Sequence, residues 1–174
     1  MRAVAHQQLH GKAAETILKR FRLLFPHKKY PKADELASVD DGQLRACGFS
    51  RPKIAALRDI AARTLDGTVP TSRQILKMGD GEIIERLTRV RGVGRWTVEM
   101  LLIFKLGRPD VLPVDDFGVR NGFRIAYRKR QMPTPRALNK YGERWAPART
   151  LAAWYLWRAA DAAKNKASIQ GVNA

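Results

Sequence analysis

Residues 87–97, LTRVRGVGRWT, set Gly92 and Gly94 on either side of Val93, between a segment of helical spacing that closes near Leu87 and an apolar one that opens near Trp96. Glycine opens backbone conformations and close approaches that a Cβ forbids. A helix that begins just past Gly94 points its first N–H groups outward, with no partner inside the helix. Such amides suit a phosphate, which binds at a helix start whatever the base sequence. The two glycines also have a plainer use, ending one helix and turning into the next, which is the commoner role of glycine.

The segments around this corner are nearly all helical in period. Ile17, Leu18, Phe21, Leu24 and Phe25 form an apolar stripe that Pro26 ends. In SRPKIAALRDIAARTLDGT, Ser50 suits a cap and Pro52 a first turn, and Ile54, Leu57, Ile60, Ala61 and Leu65 recur at steps of three and four before Gly67. TSRQILKM and DGEIIERL read as short helices, with Thr71 or Ser72 capping the first and Asp80 the second. WTVEMLLIFKL is apolar almost all round and predicts a buried helix. DDFGVRNGFRIAY, TPRALNKYGERW and APARTLAAWYLWRAADAAK supply three more. Almost nothing alternates with a period of two, so the fold class is all-α, helical bundles with little case for a sheet.

The chain has 174 residues, enough for one domain or two small lobes with a real core. Its 33 Lys and Arg against 16 Asp and Glu give a formal charge of +17, spread among Ala, Leu, Ile and Trp. A folded body so charged seeks polyanions; DNA, RNA or an acidic membrane surface would each satisfy it. Cys47 is the single cysteine, which excludes an internal disulfide and any cysteine-ligated zinc or iron–sulfur site; it reads as a small buried residue. His6, His10 and His27 form no ligand constellation. No run approaches a membrane span and no signal-peptide pattern opens the chain, so cytoplasm with the bacterial nucleoid, or the nucleus in a eukaryote, is the expected location.

Taken in order, LTRVRGVGRWTVEMLLIFKLGRPDVLPVDDFGVRNGF, with RAVAHQQLHGKAAETI upstream and RTLAAWYLWRA downstream, resembles the base-excision DNA glycosylases that carry a helix-hairpin-helix and an aspartate loop, in their 3-methyladenine DNA glycosylase II branch. The resemblance spans nearly the whole chain as one domain over 1–174, with the hairpin at about 83–106 and the aspartate loop at 109–120. It makes the chain N-terminally short for the family. It implies hydrolysis of the bond between deoxyribose and an alkylated purine, such as 3-methyladenine or 7-methylguanine, in double-stranded DNA by a monomer.

The residues can be set against that chemistry. Positive charge builds on the sugar in the transition state, and a fixed carboxylate stabilises it and orients water. Asp115 and Asp116 are the candidates. Alignment on the alkyl-base branch favours Asp116, alignment on the endonuclease III branch brings Asp115 closer, and the other aspartate is left to cap the helix that starts at Phe117. A flipped base needs a stacking pocket and a filler for the gap it leaves. The resemblance assigns the pocket to Trp96 and Trp157, whose indole faces favour a cationic base. Trp145, Trp154 and Tyr155 read more readily as core. HQQLH offers Gln8, then Leu9, as the filler, unless both glutamines simply face solvent. Gly92, Val93, Gly94, Arg95 and Thr97 are the DNA contacts of the hairpin; Lys12 and Arg120 can reach phosphates, and Arg51, Lys53 and Arg58 read as a solvated helix face. Trp96 stands where lyases of the endonuclease III branch carry a nucleophilic lysine, which implies a monofunctional enzyme. No cofactor is required and no iron–sulfur cluster is expected; the resemblance adds a monovalent cation on the carbonyls of Thr88, Val90 and Val93. The runners-up are a helix-hairpin-helix DNA-binding module without catalysis and a basic RNA-binding helical protein.

Overall fold

The computed structural model describes residues 11–26 and 30–172. Gln8, Leu9, His6, His10 and His27 lie outside the described residues, as does the side chain of Lys12. Among the described residues there are ten α-helices, one 3-10 turn and no strand, the all-α class that the periodicity predicts. The chain falls into two compact units, Met1–Val98 and Glu99–Ala174.

The first unit holds α1 (Gly11–Leu23), α2 (Ala33–Ser38), α3 (Asp41–Ala46), α4 (Arg51–Leu65), α5 (Ser72–Ile75), α6 (Asp80–Thr88) and the opening of α7 (Arg95–Phe104). Leu18, Phe21, Leu36, Leu44, Phe49 and Leu57 close its core, with Phe21 meeting Phe49 edge to face at 5.6 Å. Each such side chain, fully buried, contributes about 1.5–3 kcal/mol. Cys47 lies in the same core, and burial raises its thiol above the ordinary value. Helices α2 and α3 are too short for a periodic stripe and went unpredicted; the Asp40 side chain caps α3 by accepting from the Gly42 and Gln43 amides. Arg58 is not a solvated cation of α4. It pairs with Asp41 at 2.7 Å and donates to the carbonyls of Leu36, Ala37 and Val39, tying off the end of α2. Thr71 caps α5 through its hydroxyl, which accepts from the Gln74 amide at 3.3 Å. Asp80 does not cap α6. Gly79 holds that position, and Asp80 sits in the first turn, where its charge favours the positive end of the helix.

The second unit holds the rest of α7, then α8 (Phe117–Ala126), α9 (Pro135–Gly142), the 3-10 turn Glu143–Trp145 and α10 (Arg149–Val172). Its core is Leu112, Val119, Phe123, Leu138, Ala153 and Leu156, with Trp145 packed against it. The expected all-round burial of α7 does not hold. Val98, Glu99 and Leu102 are buried, but Trp96 at one end is 50% exposed and Phe104 at the other 60%. Trp154 and Tyr155, expected in the core, are 45% and 62% exposed on the outer face of α10. Helices α8 and α10 pack closely because Gly122 presents bare backbone: a Cβ there would overlap the carbonyl oxygen of Leu156.

Two glycine substitutions test this packing with opposite signs. Gly122→Ala should destabilise the protein by at least about 1–3 kcal/mol, because the obstacle is backbone that cannot rotate away. Gly81→Ala, inside α6 where an added Cβ meets nothing within 4 Å, should instead stabilise by about 0.5–1 kcal/mol. Urea midpoints of the two variants read both effects.

Candidate active site

The first unit holds the corner between α6 and α7. Past Thr88, the Val93 amide donates to the Val90 carbonyl at 3.0 Å, and Gly92 takes a φ of +77°, the left-handed region where glycine is favoured. Gly94 then opens α7, its carbonyl accepting from the Val98 amide at 3.3 Å. The Arg91 amide donates to Asp59 Oδ2 at 2.7 Å, so α4 holds the corner in place. The turn itself uses the Val93 N–H, which removes one amide from the expected set; at the start of α7 Arg95 and Trp96 are exposed and Thr97 is half-buried.

The second unit, by itself, holds the aspartates. Leu112–Pro113 end in a turn closed by the Asp116 amide donating to the Pro113 carbonyl at 3.1 Å, and α8 begins at Phe117. Asp115 lies exposed on that turn, whereas Asp116 is half-buried and is itself the N-cap of α8: its Oδ1 accepts from the Val119 amide at 2.8 Å. The capping aspartate is therefore not the one left over after Asp116 is assigned elsewhere. The same Oδ1 accepts from the indole Nε1 of Trp157 at 2.8 Å. Trp157 is half-buried, and Phe104 stacks on it with ring centres 5.8 Å apart and planes 27° apart. The unit thus presents an oriented carboxylate, an indole fixed to it, and an exposed phenyl beside the indole. Phe117, adjoining Asp116, is a further exposed aromatic at 67%.

The loop leading to Asp116 is sewn to the start of α10. Arg149 grips Asp110 through Nε at 2.7 Å and Nη2 at 2.8 Å, and its amide donates to the same carboxylate at 3.2 Å. The Thr150 hydroxyl donates to the Arg108 carbonyl at 2.7 Å and accepts from the Val111 amide at 2.9 Å. The hydrogen bonds from Arg149 hold the Asp110 carboxyl below its ordinary range and raise the guanidinium in turn. Arg120, expected at a phosphate, donates through Nε to the Pro133 carbonyl at 2.9 Å and holds the loop before α9.

Phe104 was missed because the apolar run that contains it reads as wholly buried; an aromatic residue closing such a helix was the available signal. Among the described residues no group of His, Cys, Asp or Glu is arranged to hold a metal ion, and no helix is long and apolar enough to cross a membrane.

Residues 1–148 match the family model of HhH-GPD superfamily base excision DNA repair proteins, and the chain belongs to that family. It is 48% identical over 158 residues to DNA-3-methyladenine glycosylase 1 of Schizosaccharomyces pombe, covering 91% of this chain and 69% of that protein. Its similarity to the alkylbase DNA glycosidase-like protein mag2 of the same yeast is 33% over 159 residues, 91% of this chain and 75% of that one. Among solved structures, the S. pombe 3-methyladenine DNA glycosylase (Mag1) in complex with abasic DNA matches with a TM-score of 0.75 at 48% identity, over 90% of this chain and 76% of that chain. A DNA-3-methyladenine glycosidase from Bacillus halodurans matches with a TM-score of 0.83 at 34% identity, over 91% and 72% of the two chains.

The Asp110 and Arg149 pair gives a prediction with a definite sign. A carboxyl held low in the folded state contributes stability above its unfolded value of about 4, and that contribution is lost as pH falls through the folded value. The melting temperature should therefore fall on acidification below about pH 4 more steeply in the wild type than in Asp110→Asn. Parallel curves for the two proteins would remove the pair from the acid limb.

Proposed function

We propose that the chain is a monofunctional DNA glycosylase that hydrolyses the N-glycosidic bond of alkylated purines, 3-methyladenine and 7-methylguanine among them, in duplex DNA. The observation that carries the reading is the Asp116 carboxylate, half-buried at the start of α8 and aimed by two donors, the Val119 amide and the Trp157 indole. A DNA-binding module could use this carboxylate only as the cap of α8, and its charge would repel phosphate. A glycosylase uses the charge itself, because the sugar becomes cationic as the base departs. The names of the relatives, 3-methyladenine glycosylases bound in one case to abasic DNA, support the same assignment.

In this reading the base is flipped out and stacks on indole. Trp157 has its position set by Asp116 and Phe104, and Trp96 exposes half its surface. In DNA 3-methyladenine and 7-methylguanine are cationic, so the indole faces favour them over a neutral base. The bond from C1′ to the base nitrogen breaks with its electron pair going to the base, which leaves neutral. Asp116 stabilises the sugar cation; water adds to C1′ and gives up a proton. A cationic purine needs no strong acid to leave, and the hairpin carries Trp96 where a lyase would hold its amine. Gln8 or Leu9 would fill the gap in the duplex.

The hairpin supplies sequence-independent grip on the backbone. The opening turn of α7 and the Arg95 side chain serve the phosphates. The donor set Thr88, Val90 and Val93 fits a monovalent cation: three main-chain carbonyls, hard oxygens, follow the negative end of α6, and Val90 has used one lone pair on the Val93 amide. Such a cation would supply positive charge facing the phosphates when bound.

Incubation with methylated duplex tests the proposal. Wild-type protein should release 3-methyladenine or 7-methylguanine, and Asp116→Asn should lower the single-turnover rate on the order of 100-fold or more. Asparagine caps a helix as well as aspartate does, so the loss will not come from fraying of α8. Asp115→Asn should stay near wild type; the reverse pattern would transfer the role to Asp115, and duplex binding without base release would leave a binding module. In the same binding assay Arg95→Ala should weaken affinity across sequences and reduce the slope of log K against log salt by about 1.

A further inference from the structure

We infer that Gly118 is a positioning residue for the reaction proposed above: its bare Cα is the seat on which the Trp157 indole lies, and only from that seat does Nε1 reach Asp116. A Cβ built at Gly118 would stand 2.8 Å from Trp157 Cδ1, 3.2 Å from its Nε1 and 3.1 Å from Asp116 Oδ1. The three atoms are the two ring atoms nearest the helix and the oxygen they serve. One methyl group would thus be wedged into the hydrogen bond between Trp157 and Asp116.

The neighbourhood determines what gives way. Gly118 and Gly122 are four residues apart, on one face of α8 toward α10. Gly122 abuts the Leu156 carbonyl and so fixes the separation of the two helix backbones one residue before Trp157. The backbones have no slack, whereas the ring is a half-buried side chain, stacked on Phe104, which is 60% exposed. A side chain at 118 is therefore accommodated by the indole swinging outward, with the helices left in place. The cost falls first on the geometry of the carboxylate and its indole donor, and only at the edge on the core against which Trp157 packs. This separates the two glycines by role, Gly122 holding the fold together and Gly118 the orientation of the reactive groups.

The inference rests on the glycosylase reading, and Gly118→Ala tests it with readouts that part the two. The chain has four tryptophans, so the indole N–H region of a proton–nitrogen NMR spectrum is simple, and Trp157→Phe identifies the Trp157 signal. In Gly118→Ala that signal should move upfield as its hydrogen bond lengthens. Single-turnover release of 3-methyladenine should fall on the order of 10- to 100-fold, the scale of a misplacement of about 1 Å. Affinity for abasic duplex should hold, and the melting temperature should fall by less than in Gly122→Ala, since one hydrogen bond is loosened while alanine is the better helix former. A shifted signal with unchanged release would overturn the proposal and leave the glycosylase reading intact, as would an unmoved signal. A melting temperature lowered as far as that of Gly122→Ala would also overturn it, by making Gly118 a packing residue. Failure of the wild type itself to release any base would sink the glycosylase reading, and this one with it.

Discussion

One oxygen atom organises the second unit. Asp116 Oδ1 accepts from the Val119 amide and from the Trp157 indole, so the same atom starts α8 and fastens α10 to that start. The turn before it, closed on the Pro113 carbonyl, exists to deliver the carboxylate there, and the grip of Arg149 on Asp110 keeps the incoming loop against the other end of the arrangement. A cap has to be placed to within hydrogen-bond tolerance to work at all. A carboxylate that stabilises charge on a sugar has the same requirement, and in the reaction proposed above one placement would serve both.

Much of this was legible in the chain, for reasons that differ by element. The long helices announced themselves by apolar period, and the corner by two glycines around Val93 with helical segments on either side. The six-residue helices α2 and α3 were not legible, because one and a half turns cannot display a period. Two adjacent aspartates were ranked, in favour of Asp116, by resemblance alone; both suit a cap, and only the geometry of the turn decides which one reaches the Val119 amide. The pairing of Asp110 with Arg149 spans 39 residues, and nothing local marks it. Trp157 was readable as a functional indole only through resemblance; the atom it donates to is a fact of tertiary packing. The family match and the resemblance agree on the class of protein, while the roles of single residues rest on geometry.

The basic surplus also divides into kinds that composition cannot tell apart. Arg58 ties off α2, Arg120 holds a loop carbonyl and Arg149 clamps Asp110. Arg58 and Arg149 each reach several acceptor atoms at once with a rigid fork, a task for which lysine is ill suited. What the formal charge of +17 offers a polyanion is therefore carried by the cations that structure has not already spent.

The close contact of α8 with α10 constrains how the sequence can drift over generations. At Gly122 the opposing surface is the main-chain carbonyl of Leu156, and no exchange of side chain on α10 can make room, so that glycine can only persist. At Gly118 the opposing surface is a side chain, and a larger residue there becomes tolerable as soon as the indole is traded for something smaller or differently placed. Positions 118 and 157 are thus free to change only as a pair, and in the proposed reaction such a change would re-cut the surface offered to a base while the helices that carry it stay where they are.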